Sequence, residues 1–174
     1  MVDIEIEPIS RDAFAPFGDV LETASTVADV INGGTARRFT DLTRISLIGT
    51  EAQASVHIYR ARAVRLPVTL RHVERHPRGS QLFMPLQGQP FLTVVAAGGA
   101  SPNACNLRAF LVDRGDGINL ARNTWHYPLL SLVDDAAFLV VEHIRPRDNL
   151  EECLLDTPAR LASLPQIKQG PQHS

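Results

Sequence analysis

The feature that most constrains this chain is the shortness of its apolar runs. They recur at roughly 8–12-residue spacing with Gly and Pro between them, the pattern of an all-β sandwich or barrel. Residues 2–6 alternate apolar and acidic side chains with a period of two, and Pro8 ends that strand. Further strands are expected at 19–22, 55–60, 69–74, 81–86, 91–96, 107–112, 125–133 and 137–144, with turns at Asn32-Gly33-Gly34, Pro77-Arg78-Gly79 and Gly115-Asp116-Gly117. The connection Gln87-Gly88-Gln89-Pro90 has the length of a hairpin turn and predicts that 81–86 pairs with 91–96. Helical signals are confined to the ends. Ser10 is placed to cap a turn at 11–14 that Pro16 and Gly18 stop, and the leucine spacing of 149–164 predicts a short helix or two interrupted by Pro158. With no internal repeat and no linker, 1–165 reads as a single domain and 166–174 as a polar tail.

The 174 residues suffice for one domain with an enclosed core. A formal net charge of -2 and scattered basic residues argue against nucleic acid or an anionic membrane as partner. The acidic start resembles no secretory signal, no run approaches about 20 apolar residues, and Cys105 and Cys153 form no Cys-x-x-Cys pair. These features fit a cytoplasmic protein with two free thiols.

Four groups of residues carry candidate chemistry. In Glu74-Arg75-His76-Pro77, proline holds His76 extended at a strand end, and strand periodicity turns Glu74 and His76 to one face. A carboxylate beside an imidazole orients it and raises its basicity; the same letters also fit a solvated strand end. Trp125-His126 precedes an apolar strand, which suits either a proton-transfer residue or a packed structural histidine. Glu142 shares a face with Phe138 and Val140, so an inward face would carry a carboxylate into the core, whereas an edge position would leave it solvated. Arg60 continues the face of Val56 and Ile58 and, if inward, would suit a small acid; Arg38 follows the flexible Asn32-Gly33-Gly34 loop and could close over it. A surface ion pair is the plainer reading of both arginines.

Taken in order, these residues resemble the ureidoglycolate lyase family. The resemblance runs from Pro8 to about Glu152. It is carried by 14–20 (Phe-Ala-Pro-Phe-Gly-Asp-Val), Ile31-Asn32, Gly34, Arg38, Asp41-Leu42, Arg60-Ala61, Glu74-Arg75-His76-Pro77 with Gln81, 107–110 (Leu-Arg-Ala-Phe), Gly117, Asn119, Trp125-His126 and Pro128-Leu129. Two positions depart from the family pattern as expected: Glu142-His143 stands where an acidic residue followed by Arg is anticipated, and Asn149-Leu150 where Asn-Cys is.

The resemblance implies an all-β, cupin-like β-barrel of jelly-roll type with short peripheral helices. It also implies a homodimer and cleavage of (S)-ureidoglycolate to glyoxylate and urea in allantoin breakdown. That elimination needs a base at the carbinol hydroxyl, an acid at the departing nitrogen and an anchor for the carboxylate. On this reading His76 and His126 move the protons, with Glu74 or Glu142 orienting an imidazole. Arg60 binds the carboxylate, with Arg38 and Arg75 as alternatives, and Asn32, Gln81 and Trp125 complete the substrate contacts. The sequence requires no metal. Should a divalent ion be present, nickel by the resemblance, His76, Gln81 and His126 are the candidate ligands, although a neutral Gln is a poor one. The alternatives are a metal-dependent cupin enzyme of other specificity and a non-catalytic module that binds a small carboxylate or sugar.

Overall fold

The computed structural model describes residues 1–99, 101–143 and 149–165. In chain order its strands are β1 (Val2–Ile4), β2 (Ile6–Pro8), β3 (Gly18–Leu21), β4 (Ala28–Ile31), β5 (Ala36–Phe39), β6 (Ala54–Ala61), β7 (Val68–Arg75) and β8 (Gln81–Pro85). They continue with β9 (Phe91–Ala96), β10 (Arg108–Val112), β11 (Gly117–Leu120), β12 (Trp125–His126), β13 (Leu130–Ser131), β14 (Ala136–His143) and β15 (Glu151–Leu161).

Among the described residues an eight-stranded sheet runs β1-β15-β7-β12-β9-β10-β2, with β13 also on β9, and a five-stranded sheet runs β3-β11-β8-β14-β6. The first sheet is rolled almost shut. Its two edge strands, β1 and β2, are separated by Glu5 alone, and one residue spans only about 7 Å between its neighbours' Cα atoms. The expected single strand at 2–6 is therefore two, and the break at Glu5 lets the chain pass from one edge to the other.

Period-two alternation then gives the larger sheet two buried faces. One encloses a core of its own, with Leu70, Val73, Leu92, Val94, Leu111 and Trp125. The other packs on the five-stranded sheet around Phe83, Phe91, Val95, Phe110, Ile118, Phe138 and Val140. Phe91 and Phe138 meet edge to face across this second core at 5.3 Å between ring centroids, a geometry worth roughly 0.5–1.5 kcal/mol beyond area burial. The short helix α1 (Arg11–Phe14) forms where expected: the Ser10 hydroxyl accepts from Ala13 N at 3.3 Å, and Phe14 is driven edge-on against Phe110. The result is an all-β, cupin-like barrel.

Three further sequence expectations change. Strands β8 and β9 do not form a hairpin; they lie in different sheets. Their connection is stitched to β14 instead, by Gln89 Nε2 donating to Ala137 O at 2.8 Å and Ala137 N donating to Gln87 Oε1 at 3.2 Å. The region 149–164 is not helical. Its residues 151–161 form β15, antiparallel to β7 and parallel to β1, with a register shift between Leu154 and Ala159 that accommodates Pro158. The bulge breaks the period of two and produces the helix-like leucine spacing. Finally, the expected strand at 125–133 is two short strands, β12 and β13, interrupted around Pro128. Residue 144, the expected end of the late strand, and the tail 166–174 lie outside the described residues.

Candidate active site

Strand β7 carries Glu74, and Pro77 ends the extension just after His76. In the ladder, Glu74 stands directly opposite His126 of β12, and His126 opposite Val95, so these side chains face the space between the two sheets. One donor atom each from Glu74, His76 and His126 lies within 4.8 Å of the others. The two imidazole rings are 5.3 Å apart, and His126 Nε2 is 3.4 Å from Glu74 Oε1.

Backbone contacts fix both rings. His76 Nδ1 lies 2.8 Å from Asn149 O and His126 Nδ1 lies 3.0 Å from Thr124 O. A carbonyl oxygen can only accept, so both Nδ1 atoms carry the proton and both Nε2 atoms present a lone pair. Neither buried Nε2 has a hydrogen-bond partner among the described residues. Asn149 was noted in the sequence only beside Leu150, with no place among the site residues. It is buried, its amide donates to His143 O at 2.6 Å and accepts from Arg78 N at 2.8 Å, and its own carbonyl orients His76.

The electrostatics follow from this packing. Burial, reinforced by the neighbouring His126, holds the His76 pKa below its ordinary value, so His76 is neutral at pH 7. The adjacent His126 ring, opposed by burial, holds Glu74 below the usual carboxylate range. Beneath His126, Phe83, Phe91, Ile118, Leu120 and Leu129 wall a cavity of about 10 Å³, space for one water at most.

A second group faces the same space. Glu142, on the inward face with Phe138 and Val140 as the sequence allowed, accepts from Tyr59 Oη and from Gln81 Nε2, each at 2.7 Å. His57 Nε2 is 3.9 Å from the same carboxylate. Burial, then the hydrogen bond to Glu142, raises the Tyr59 pKa and keeps the phenol protonated; the charge of Glu74 is also felt there, as that of Glu142 is at His76. Tyr59 and His57 were absent from the sequence-based set. Their signal was the alternation of β6, in which they occupy the face opposite Val56 and Ile58.

The remaining residues lie elsewhere. Arg60 shares the outward face with Val56 and Ile58, which are 65% and 55% exposed, and pairs with Asp135 at 2.9 Å in solvent. The expectation of an inward Arg60 rested on taking the apolar side of β6 as its buried side. Arg75 points away from Glu74, stacks over the Trp125 ring at 4.4 Å and pairs with Glu151 at 2.6 Å. Trp125 packs in the other core, on the face of β12 opposite His126. Arg38 lies on β5 in a separate two-stranded sheet with β4, where it pairs with Asp29 at 3.0 Å, and Asn32, at φ 53°, opens the turn that joins the two strands.

Two acceptor nitrogens and a carboxylate converging with no donor among them call for a positive group. Either a proton shared by His126 and Glu74 or a divalent cation satisfies that demand, and two imidazoles with a carboxylate suit a transition ion. The carboxylate that joins the two imidazoles is that of Glu74.

A family model described as ureidoglycolate lyase matches residues 1–162. A protein named ureidoglycolate lyase from Brucella anthropi is 46% identical over 90% of this chain and 92% of its own length. One from Azotobacter vinelandii is 45% identical over 86% and 90%, and one from Pseudomonas syringae pv. tomato is 39% identical over 98% and 100%. Among solved structures, ChmJ, a 3'-monoepimerase from Streptomyces bikiniensis in complex with dTDP-quinovose, aligns at TM-score 0.44 and 14% identity over 84% of this chain and 72% of its own, too loose a likeness to assign function. With the family model covering nearly the whole chain and relatives of such identity matching end to end, the chain belongs to the ureidoglycolate lyase family.

Proposed function

We propose that this protein cleaves (S)-ureidoglycolate to glyoxylate and urea. The observation that carries the proposal is the convergence of Glu74, His76 and His126 on the space between the sheets, in a chain of this family. The substrate is a carbinol bearing a carboxylate and a ureido nitrogen on one carbon. His76 Nε2, neutral and with its lone pair aimed inward, takes the hydroxyl proton. The oxygen's electrons form the aldehyde carbonyl, the carbon–nitrogen bond breaks, and its pair goes to nitrogen. A proton taken up by His126 Nε2, which lies 3.4 Å from Glu74 Oε1, goes to that nitrogen, and urea leaves. No water is consumed, which distinguishes a lyase from a hydrolase. Arg60, Arg38 and Arg75 are engaged elsewhere, with Asp135, Asp29 and Glu151.

Glu74, His76 and His126 would also hold a divalent ion such as nickel, which when bound supplies Lewis-acid polarisation of the substrate oxygens. Elemental analysis of the purified protein, with thermal melts before and after chelation, tests this directly. Stoichiometric metal whose removal lowers Tm supports the ion; metal-free protein with an unchanged melt favours the proton account.

The same reading makes the protein a cytoplasmic homodimer working in allantoin breakdown. No helix among the described residues is long and apolar enough to cross a membrane. The apolar outward face of β6, an edge strand, offers a surface that a second copy would cover.

Racemic ureidoglycolate, with glyoxylate, urea and ammonia assayed separately, tests the function. The lyase releases glyoxylate and urea in equal amounts with no ammonia. Ammonia release would make the protein an amidohydrolase, and the absence of glyoxylate would leave a binding module.

A further inference from the structure

Glu142 is held by two neighbours in a way that suits an orienting role. Both of its oxygens are engaged, one by the Tyr59 hydroxyl and the other by the Gln81 amide, each at 2.7 Å. A carboxylate oxygen receiving a hydrogen bond requires the donor end of the amide. Gln81 therefore cannot flip: its Nε2 faces Glu142 and its Oε1 is turned away from it. That oxygen belongs to a side chain 5% exposed and has no hydrogen-bond partner among the described residues.

A buried amide oxygen left without a donor costs roughly 1–3 kcal/mol, so such an atom marks the place where a ligand donor fits. Tyr59 is constrained in the same sense. Its only hydrogen is committed to Glu142, which leaves the phenol oxygen as an acceptor. Gln81 shares its face of β8 with Phe83, which lines a cavity together with His126, and Tyr59 stands opposite Phe138 across β6 and β14, so both residues lie on the face of their sheet turned towards His126.

We infer that Glu142 is a positioning residue that fixes Gln81 Oε1 and Tyr59 Oη as paired acceptors for the N–H groups of the substrate's ureido end. This rests on the ureidoglycolate reading and names the atoms that select a ureido compound over an acid of the same shape without N–H donors. It also explains why position 81 carries an amide. A carboxylate there would repel Glu142, and a hydrocarbon would offer the ureido group nothing.

The test compares two unreactive acids of nearly equal shape, ureidoacetate and acetoxyacetate, in which the N–H and NH₂ groups become O and CH₃. Their dissociation constants are measured by calorimetry for the wild-type protein and for Glu142→Gln, Gln81→Leu and Tyr59→Phe, each checked by circular dichroism. The wild type is expected to bind ureidoacetate at least about tenfold more tightly. In Glu142→Gln, which frees the neighbouring amide to reverse, and in Gln81→Leu, the ratio is expected to fall to within about threefold. With ureidoglycolate, Glu142→Gln is expected to raise KM by about tenfold and to lower kcat much less, as for an interaction made equally in ground and transition states.

Equal binding of the two acids by the wild type overturns the inference. So does an undiminished ratio in Glu142→Gln, a variant that changes one atom and is the least apt to misfold. Failure of the function itself reads differently: the wild type would then release no urea from ureidoglycolate, whatever the ratio of the two unreactive acids.

Discussion

On β6, His57 and Tyr59 turn inward towards Glu142 while Val56, Ile58 and Arg60 turn out. One step of strand register thus separates a residue in contact with the site from one in solvent. Arg60, in a surface ion pair with Asp135, should be dispensable: Arg60→Ala is expected to keep urea release within about threefold of wild type, since exposed pairs contribute about 0–1 kcal/mol. Arg75 is structural in a different way. Losing its stack on Trp125 and its pair with Glu151 should cost about 1 kcal/mol. For a chain of this size that lowers Tm by roughly 2–4 °C, while turnover per folded molecule changes little; a tenfold fall in kcat would return Arg75 to the site. At this scale the sequence was informative about the residues whose neighbours restrict them. Pro77 pinned His76, and the run from Phe138 to Val140 put Glu142 on their face of the strand while leaving open whether that face is buried. It was misleading on β6, where hydrophobicity marks an exposed edge, and silent on Asn149, whose part is played by a backbone carbonyl.

Among the elements, the strands themselves were legible from alternation, and their partners were not. Nothing in Gln87-Gly88-Gln89-Pro90 distinguishes a hairpin turn from a crossing between sheets, because the distinction lies in the hydrogen bonds those side chains make to Ala137. The bulge at Pro158 likewise needs β7 beside it before its leucines read as a strand. Strand β3 offers a sharp test of the packing. Gly18 has φ 149°, and a Cβ there would sit 2.0 Å from Asn119 O on the neighbouring strand β11. Gly18→Ala is expected to cost at least about 2 kcal/mol, lowering Tm by roughly 4–8 °C in a thermal melt. An unchanged Tm would mean that β3 and β11 do not approach as described.

In the whole molecule, closure of the larger sheet is what allows a short chain to carry two cores, one enclosed by the sheet and the other shared with the site. The closure depends on β1, which pairs in parallel with β15 through Val2–Ala159 and Ile4–Leu161 and is tied by the Asp3–Arg160 ion pair at 2.7 Å. Removing residues 1–4 exposes that edge and forfeits the burial of Ile4, worth about 1.5–3 kcal/mol. Tm should fall accordingly, and an unchanged melt would show that the roll is held without β1. On the proposed function, the chemistry takes place between the sheets, at Glu74, His76 and His126, and not at the arginines on the surface. Urea release from ureidoglycolate by folded His126→Ala and Arg60→Ala proteins, measured side by side, tests it most directly. His126→Ala is expected to lose roughly 10²–10⁴-fold and Arg60→Ala to stay within about threefold; near-native urea release from His126→Ala would place the chemistry elsewhere.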